Sequence, residues 1–173
     1  MDIEERCRRI RFLLLDVDGV LTDGGITYAD DGTEIKTFNV RDGLALKLWL
    51  QADKQAGILS GRTSEIVKRR AAELKLTALI QGADDKRPAF EALLREHNLE
   101  ASEVCYVGDD LPDVPLIRRA GLGVSVADGC EEARQAAQYV TRQPGGRGAV
   151  RELVQLLLET QGLWQVMLER LGF

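Results

Sequence analysis

The sequence predicts an α/β fold in which helices cover both faces of a doubly wound, mostly parallel sheet. Short apolar runs alternate along the chain with segments of helical periodicity, and this alternation is typical of consecutive βαβ units. The chain has 173 residues, whereas one domain usually takes roughly 100–200. Hydrophobic residues make up 45% and charged residues 29% of the chain, which is the balance of a globular domain. We therefore expect one domain over residues 1–173.

The predicted strands of the main sheet are apolar runs of three to seven residues next to Gly, Asp, Ser or Thr. Runs of this kind indicate strands that are buried on both faces of a sheet. In chain order they are residues 11–17, 56–59, 77–80, 104–107, 122–126 and 139–141. Because nearly every run is followed by a helical segment, we expect parallel pairing through helical crossovers.

The predicted helices follow these strands and are marked by apolar residues three or four positions apart. The first should run through Leu44, Leu48 and Trp49, with Asp42 as its cap, because Asp is a preferred N-cap residue. The others are residues 65–74, 88–96, 116–120, 131–137, 149–159 and 163–171. The last of them lies in a C-terminal tail, residues 162–173, which we expect to be helical.

One segment departs from the βα alternation. Residues 25–28 and 34–38 are rich in β-branched and aromatic side chains, and they flank Ala29-Asp30-Asp31-Gly32-Thr33. Acidic residues and glycine between two such runs indicate a hairpin turn. We therefore expect a β-hairpin insertion over residues 24–38.

Composition excludes several classes of protein. The chain carries 23 Lys and Arg against 28 Asp and Glu, a net charge of −5, which argues against nucleic acid or an anionic membrane as the main partner. Its longest apolar stretches, residues 13–15 and 156–158, are far shorter than the roughly 20 residues of a membrane helix. The N-terminal residues lack the pattern of a secretory signal. The 3 cysteines form no CxxC pair, so we expect free thiols and a cytoplasmic protein.

Acidic side chains cluster where the predicted strands end, which is where ligands bind in folds of this type. Asp16 and Asp18 stand at the end of the first strand, and Asp109, Asp110 and Asp113 follow the fourth. Two residues apart on an extended chain, Asp16 and Asp18 point to the same side. Carboxylates held this close repel one another unless a cation neutralises them. Oxygen ligands without nearby His or Cys suit Mg²⁺.

Two further strand ends supply candidate phosphate ligands. Ser60 and Gly61 follow the second strand, and a hydroxyl group beside turn amides can bind a phosphoryl oxygen. Lys86 stands near the start of a predicted helix, where the helix dipole disfavours a cation. This unfavourable position suggests a functional charge, although a solvated lysine remains an alternative.

Together these motifs resemble the haloacid dehalogenase superfamily of phosphatases. The resemblance rests on DVDGVLTD at 16–23, Ser60, Lys86 and GDDLPD at 108–113, which occur in the family's order. It implies that Asp16 is a nucleophile that forms an aspartyl-phosphate, and that Asp18 is the general acid and base. Ser60 and Lys86 would hold phosphoryl oxygens, and Asp110 would lie next to the metal ligands. The implied cofactor is Mg²⁺, bound by Asp16, Asp109 and the carbonyl of Asp18.

The resemblance is closest to the branch that hydrolyses 3-deoxy-D-manno-octulosonate 8-phosphate, a precursor of lipopolysaccharide. The segments that match that branch are Thr22 to Gly25, Phe38 to Gly43, Leu59 to Arg62 and Gly145 to Val150. The branch has a short β-hairpin in place of a cap domain. The implied substrate-binding residues are Asp18, Asn39, Val40, Arg41, Asp42, Gly43, Arg62, Arg70 and Lys86. In this branch four subunits pool their hairpins and complete one another's sites, so the resemblance implies a homotetramer. It covers roughly residues 10–160 and does not include the C-terminal tail.

Three alternatives remain at this point. The substrate could be a related sugar-acid phosphate, such as a nonulosonate 9-phosphate, although Arg41 and Arg62 favour the octulosonate. The domain could be a catalytically silent homologue that serves assembly, but Asp16, Asp18, Ser60, Lys86 and Asp109 are all present. A phospho-receiver domain would need an aspartate after its central strand, where this chain has Ser60.

Overall fold

Six parallel strands form the central sheet of the protein in a computed structural model that describes residues 2–173. The strands are β1 (Phe12–Leu15), β4 (Gln55–Leu59), β5 (Ala78–Ile80), β6 (Val104–Gly108), β7 (Leu122–Ser125) and β8 (Tyr139–Val140). Their order across the sheet is β5-β4-β1-β6-β7-β8. The sequence-based prediction of a mostly parallel α/β sheet is therefore confirmed.

The central strand β1 is buried on both faces because it lies between β4 and β6. Leu13 pairs with Ala56 of β4 and with Cys105 of β6. Leu13 and Leu15 belong to the core on one face, whereas Phe12 and Leu14 belong to the core on the other. This is the alternation that a period of two residues imposes, and it explains why the run is apolar throughout.

Helices cover both faces of this sheet. They are α1 (Ile3–Arg9), α2 (Val40–Gln51), α3 (Glu65–Leu74), α4 (Lys86–Glu96), α5 (Val114–Arg119), α6 (Glu131–Ala136), α7 (Ala149–Thr160) and α8 (Trp164–Arg170). Residues of α2, α3 and α7 pack on the face of Leu13, and residues of α4, α5 and α6 pack on the face of Phe12. Because all six strands of this sheet are parallel, the loops that follow them lie at the same edge, the carboxyl end of the strands.

The cap of helix α2 differs from the prediction. Asn39, not Asp42, is its N-cap, and the Asn39 side chain accepts a hydrogen bond from the amide of Arg41 at 2.8 Å. Asp42 lies in the first turn and is buried. Its carboxylate instead accepts hydrogen bonds from the amides of Gly148 and Arg151, at 3.3 and 2.8 Å. It thus caps α7, a contact across the fold that local propensity cannot reveal.

A hairpin lies within residues 24–38, and its strands are shorter than the runs at 25–28 and 34–38 in the sequence. Only β2 (Thr27–Tyr28) and β3 (Glu34–Ile35) pair, in antiparallel fashion. The side chains of Ile26, Tyr28 and Ile35 are about half exposed or more. A two-stranded hairpin alone is marginally stable in water, and this one leaves an apolar surface uncovered within its own chain.

The two ends of the chain meet on one side of the sheet. Helix α1, which the sequence analysis did not predict, is capped by Asp2 and buries Cys7. The side chain of Gln161 donates to the carbonyls of Cys7 and Ile10. In α8, Met167 is buried against the core. None of the helices within residues 2–173 has the length and apolar character needed to cross a membrane.

Candidate active site

The loop after β1 places Asp16 at the edge of the sheet. The amide of Asp16 continues the ladder by donating to the carbonyl of Val107 at 3.0 Å. The chain then turns back on itself, with the amides of Leu21 and Thr22 donating to the carbonyl of Val17 at 2.9 and 3.0 Å. Gly19 has a φ of +85° at this turn, and a Cβ there would overlap the Asp109 carboxylate. Glycine is therefore required for the two acidic loops to approach each other.

Lys86 is the cation at the centre of this site. It is the first residue of α4, and its ammonium lies 2.8 Å from Asp16 Oδ2 and 2.7 Å from Asp113 Oδ1. Its side chain is only 4% exposed. Burial alone would lower the pKa of Lys86, but the carboxylates of Asp16 and Asp113 raise it. The unfavourable position at the helix start is therefore offset by two ion pairs.

Asp113 fixes the geometry of the second acidic loop. Its Oδ2 accepts hydrogen bonds from the amides of Asp109 and Asp110, at 2.9 and 3.2 Å. Its Oδ1 accepts from Lys86 and from the buried hydroxyl of Tyr106, the latter at 2.6 Å. Both oxygens of Asp113 are thus already engaged.

Asp113 lies beside Asp16 and Asp109, whereas the resemblance implied that Asp110 lies next to the metal ligands. Asp110 is exposed, and its carboxylate accepts a hydrogen bond from the amide of Leu111 at 2.8 Å. Asp110 still lines the cleft. The sequence analysis placed Asp113 in the acidic cluster without a role, and it did not identify Tyr106. A tyrosine in an otherwise apolar buried strand was the available signal, because its hydroxyl needs a partner.

The carboxylates fit a hard divalent cation. Oxygens of Asp16, Asp109 and Asp113 lie within 4.8 Å of one another. Asp109 Oδ1 is buried without a hydrogen-bond partner among the described residues. Burial and the charges of Asp113 and Asp16 raise the pKa of Asp109 to about 7, and burial and Asp113 raise the pKa of Asp16 to about 6. A bound cation would relieve this repulsion, and oxygen-only donors suit Mg²⁺.

A cleft of about 470 Å³ opens above these groups. The predicted site residues that line it are Asp16, Asp18, Ser60, Arg62, Lys86, Asp109 and Asp110. Ser60 is buried after β4, and its hydroxyl accepts a hydrogen bond from the amide of Arg62 at 3.2 Å. The structure thus brings together side chains that are up to 94 positions apart in the sequence (Asp16 and Asp110).

Asp18 lies next to the hairpin. Its carboxylate accepts a hydrogen bond from Lys36 and lies 3.5 Å from Nε of Arg62. Arg62 also donates to Glu34 of β3 at 3.0 Å and to the Tyr28 hydroxyl at 3.4 Å. The sequence analysis identified neither Glu34 nor Lys36, because nothing in the local pattern distinguishes them from solvated hairpin charges.

The remaining predicted substrate-binding residues do not line this cleft within residues 2–173. Val40 is 80% exposed, and Arg41 lines a different cavity of about 390 Å³ beside α7. Gly43 and Arg70 lie close together on α2 and α3. The guanidinium of Arg70 lies 5.6 Å from the ring centre of Phe38. Asp42 and Gly43 are buried. The others form a second surface, which we call the α2 surface and define as residues 39–41 and Arg70.

The loop of residues 145–148 packs on the Asp16 loop. The amide of Gly146 donates to the carbonyl of Val20 at 2.9 Å, and that of Gly145 to Asp128 Oδ1 at 2.9 Å. A Cβ on Gly145 would overlap the carbonyl oxygen of Gly19. A glycine-rich loop of this kind could in principle bind a phosphate group through its amides. Its amides donate to protein groups instead, so the loop packs against the Asp16 loop and holds it in place.

Known proteins are similar to this chain in sequence and in fold. Residues 51–153 match the model of the haloacid dehalogenase-like hydrolases. The 3-deoxy-D-manno-octulosonate 8-phosphate phosphatase KdsC of Escherichia coli strain B is 46% identical over 161 residues, 93% of this chain and 86% of that protein. KdsC of Yersinia pestis is 42% identical over 160 residues, 92% of this chain and 86% of that protein.

Solved structures of such phosphatases have the same fold as this chain. The Moraxella catarrhalis enzyme of the same name, crystallised with magnesium, phosphate and KDO, has a TM-score of 0.96 at 42% identity, covering 98% of this chain and 97% of that one. A cobalt-bound Haemophilus influenzae phosphatase has a TM-score of 0.90 at 38% identity, covering 93% and 94%. With the acidic motifs in family order and the matches spanning almost the whole sequence, the chain belongs to the haloacid dehalogenase-like hydrolase family, in the group that includes KdsC.

Proposed function

We propose that the protein is a Mg²⁺-dependent phosphomonoesterase that hydrolyses 3-deoxy-D-manno-octulosonate 8-phosphate to the free sugar acid and phosphate, in lipopolysaccharide precursor synthesis. The observation that carries the proposal is the cluster of Asp16, Lys86, Asp109 and Asp113 at the carboxyl edge of the sheet. An oxygen nucleophile, a cation and a divalent metal site are the parts that phosphoryl transfer needs. The likeness to KdsC supports the choice of substrate.

In this proposal Asp16 is the nucleophile and Asp18 is the general acid and base. A carboxylate oxygen of Asp16 attacks phosphorus, and the sugar oxygen leaves with a proton from Asp18. Asp18 then takes a proton from the water that attacks the aspartyl-phosphate, and inorganic phosphate leaves as Asp16 is regenerated. Splitting the hydrolysis in this way replaces one difficult step with two easier ones.

Ser60 and Lys86 hold the phosphoryl oxygens, since both line the cleft beside Asp16. The carboxylates of Asp16 and Asp109, with the carbonyl of Asp18, would hold Mg²⁺. When bound, this ion would neutralise charge on the transferred phosphoryl group. Asp113 and Tyr106 keep Lys86 in place from below the cleft.

We also propose that the protein is a homotetramer in which neighbouring chains complete each site. The support is that the α2 surface, which should contact substrate, does not line the cleft of its own chain within residues 2–173. Arg41 or Arg70 of one subunit could bind the sugar carboxylate in the cleft of another, because arginine pairs with carboxylates through two parallel hydrogen bonds. The half-exposed apolar side chains of the hairpin would supply the contact.

The proposed place of action is the cytoplasm. Cys7, Cys105 and Cys130 are free, and the first two are buried. Unpaired thiols are the usual state of cysteines in a reducing compartment.

A substrate panel tests the proposal. Initial rates should be measured with purified protein and Mg²⁺ against 3-deoxy-D-manno-octulosonate 8-phosphate, a nonulosonate 9-phosphate and several hexose phosphates. We expect the highest kcat/KM for the octulosonate, by at least about tenfold. A preference for the nonulosonate would reassign the substrate. Absence of activity on the whole panel, with the Escherichia coli enzyme active in parallel, would favour a silent assembly domain.

A further inference from the structure

Lys36 of the hairpin is a buried cation that the catalytic scheme does not use. Its side chain is 1% exposed, whereas lysine is almost never fully buried without a charged partner. Its ammonium donates a hydrogen bond to Asp18 Oδ1 and lies 3.5 Å from Glu34 Oε1. Burying the ammonium costs desolvation energy, which these two carboxylates offset among the residues 2–173 that the structure describes. The contact with Asp18 is therefore the main interaction open to this side chain.

Each carboxylate oxygen of Asp18 has its own cation. Lys36 contacts Oδ1, and Nε of Arg62 lies 3.5 Å from Oδ2. A hydrogen bond to one oxygen and a cation beside the other restrict rotation of a carboxylate more than one contact can. Lys86, by contrast, pairs with Asp16 and Asp113 in the described part of the chain. The proposed nucleophile and the proposed acid are thus oriented by separate cations.

Glu34 joins these two cations to the scaffold. Its Oε1 accepts from Arg62 at 3.0 Å, and its Oε2 accepts from the Ser64 hydroxyl, the N-cap residue of α3, at 2.7 Å. The Ser64 hydroxyl, followed by Arg62 and Lys36, lowers the pKa of Glu34, so Glu34 remains an anion. Through Glu34 the hairpin is tied to the end of the central sheet as well as to Asp18.

We propose that Lys36 is a positioning residue that holds the Asp18 carboxylate in the orientation needed for proton transfer. The hairpin is then part of the acid–base apparatus of its own chain, in addition to any contact it makes with a neighbour. This inference rests on the proposed function, because it takes Asp18 as the general acid and base. A misplacement of about 1 Å at such a group can cost on the order of 10²-fold in rate.

The test compares Lys36→Met with Lys36→Arg and with Lys68→Met as a matched control. Lys68 is an exposed lysine on α3, so its loss should leave kcat and KM unchanged. We expect Lys36→Met to lower kcat by roughly 10- to 100-fold, within the range of general acid–base effects, and to change KM by less than about threefold. Lys36→Arg, which keeps the charge, should recover most of kcat. If Lys36→Met does not fold, Lys36→Gln is used in its place, because glutamine is uncharged but keeps a polar group in the same space.

A double-mutant cycle decides whether Lys36 acts through Asp18. In the Asp18→Asn background, Lys36→Met should cause no further loss, because residues that act as a unit are not additive. The same fold-loss in both backgrounds would overturn the proposal. So would a rise in KM with unchanged kcat, which would mean that Lys36 binds substrate.

A crystal structure of Lys36→Met provides a readout that does not depend on turnover. We expect the Asp18 carboxylate to rotate away from its wild-type orientation. An unchanged carboxylate would contradict the positioning role even if the activity fell. If the wild-type protein hydrolysed no sugar phosphate, the proposed function would fail, and this structure would still decide whether Lys36 positions Asp18.

Discussion

At the scale of single residues, the site carries more negative charge than its own lysine can balance. The carboxylates of Asp16, Asp109 and Asp113 lie around the single ammonium of Lys86. Burial, followed by this excess of negative charge, raises the pKa of Asp16 to about 6 and that of Asp109 to about 7. A phosphate ester could not enter such a cluster against like charge. We therefore expect a divalent cation to favour substrate binding as well as the chemical step.

The first prediction concerns Asp16→Asn. The amide keeps the size of the carboxylate but is a poor nucleophile, so kcat should fall by at least about 10³-fold, since the covalent route is lost. Lys86 retains Asp113 as a partner, and one repelling charge is removed, so the free energy of unfolding should change little. Initial rates and thermal melts measure the two effects. Glu65→Gln, at an exposed acid on α3, is the control. Full activity of Asp16→Asn would exclude the covalent mechanism.

The second prediction follows from the raised pKa values of Asp16 and Asp109. An unfolded Asp has a pKa of about 3.9, so the metal-free native state binds more protons than the unfolded chain between about pH 4 and 7. Stability must then fall as pH rises through this window. The cluster therefore destabilises the metal-free protein most at pH 8, and Mg²⁺ should remove that penalty.

Thermal melts at pH 5 and pH 8 measure this effect. We expect Mg²⁺ to raise Tm more at pH 8 than at pH 5. Asp109→Asn should raise the Tm of the metal-free protein at pH 8, by roughly 2–4 °C for each kcal/mol of repulsion removed. The same variant should respond weakly to Mg²⁺. An equal Mg²⁺ effect at both pH values would contradict this account, as would full activity after exhaustive treatment with EDTA.

At the scale of elements, the loop of residues 145–148 holds the Asp16 loop in place. Its backbone lies so close to Gly19 and Thr22 that no side chain fits at Gly145 or Gly146. Asp42 fixes the same loop from the other side by accepting from the amide of Gly148. This arrangement gives Asp42 a structural reason to be present, which differs from the substrate contact that the resemblance implied.

The third prediction is therefore that Gly145→Ala disturbs catalysis from outside the cleft. The added methyl group must displace the carbonyl of Gly19, so we expect kcat to fall about tenfold or more and Tm to drop. Gly162→Ala is the control, because Gly162 has a positive φ but open space around its Cβ position. It should lower Tm slightly and leave kcat unchanged. A wild-type kcat in Gly145→Ala would show that the loop does not brace the Asp16 loop.

Sequence patterns sufficed for the sheet because each parallel strand is a short apolar run followed by a helix. They also placed Asp16, Ser60, Lys86 and Asp109 at one edge, since strands of this class end on the same side. The sequence patterns could not predict contacts between elements that are far apart in the chain. Asp42 looked like the cap of its own helix, and Lys36 like a solvated hairpin charge, because the partners of both residues are set by tertiary packing.

Helix α1 was missed for a related reason. Its only buried side chain is that of Cys7, so the apolar signal of the segment is weak. The hairpin strands were placed correctly in the chain but expected to be longer, because their apolar residues indicated more pairing than one chain provides. The apolar residues that stay unpaired within one chain are consistent with the proposed contact between hairpins of different subunits.

At the scale of the whole molecule, two surfaces remain without a partner in one chain. The first is the apolar side of the hairpin, where Ile26 is 51% and Ile35 50% exposed. The second is the α2 surface, which does not reach the cleft within residues 2–173. An assembly in which hairpins pack together would bury the first surface and could bring the second to a neighbouring cleft. The two observations therefore lead to the same arrangement.

The last prediction separates assembly from the role of Lys36 within its own chain. Placing charges on the hairpin with Ile26→Asp and Ile35→Asp should break the contact between subunits, because burying an unpaired carboxylate in an apolar interface is costly. Light scattering should then report a smaller particle than the wild-type assembly, which we propose to be a tetramer. The value of kcat/KM for the sugar phosphate should fall at least tenfold as the neighbour's α2 surface is lost. Val166→Asp, at an exposed position of α8, should change neither quantity.

The dissociated chain should keep its own acid–base residues, because Lys36 and Glu34 are intact in the double variant. It should therefore still hydrolyse an activated aryl phosphate, which does not need the α2 surface. A wild-type protein that is monomeric and fully active would contradict the assembly outright.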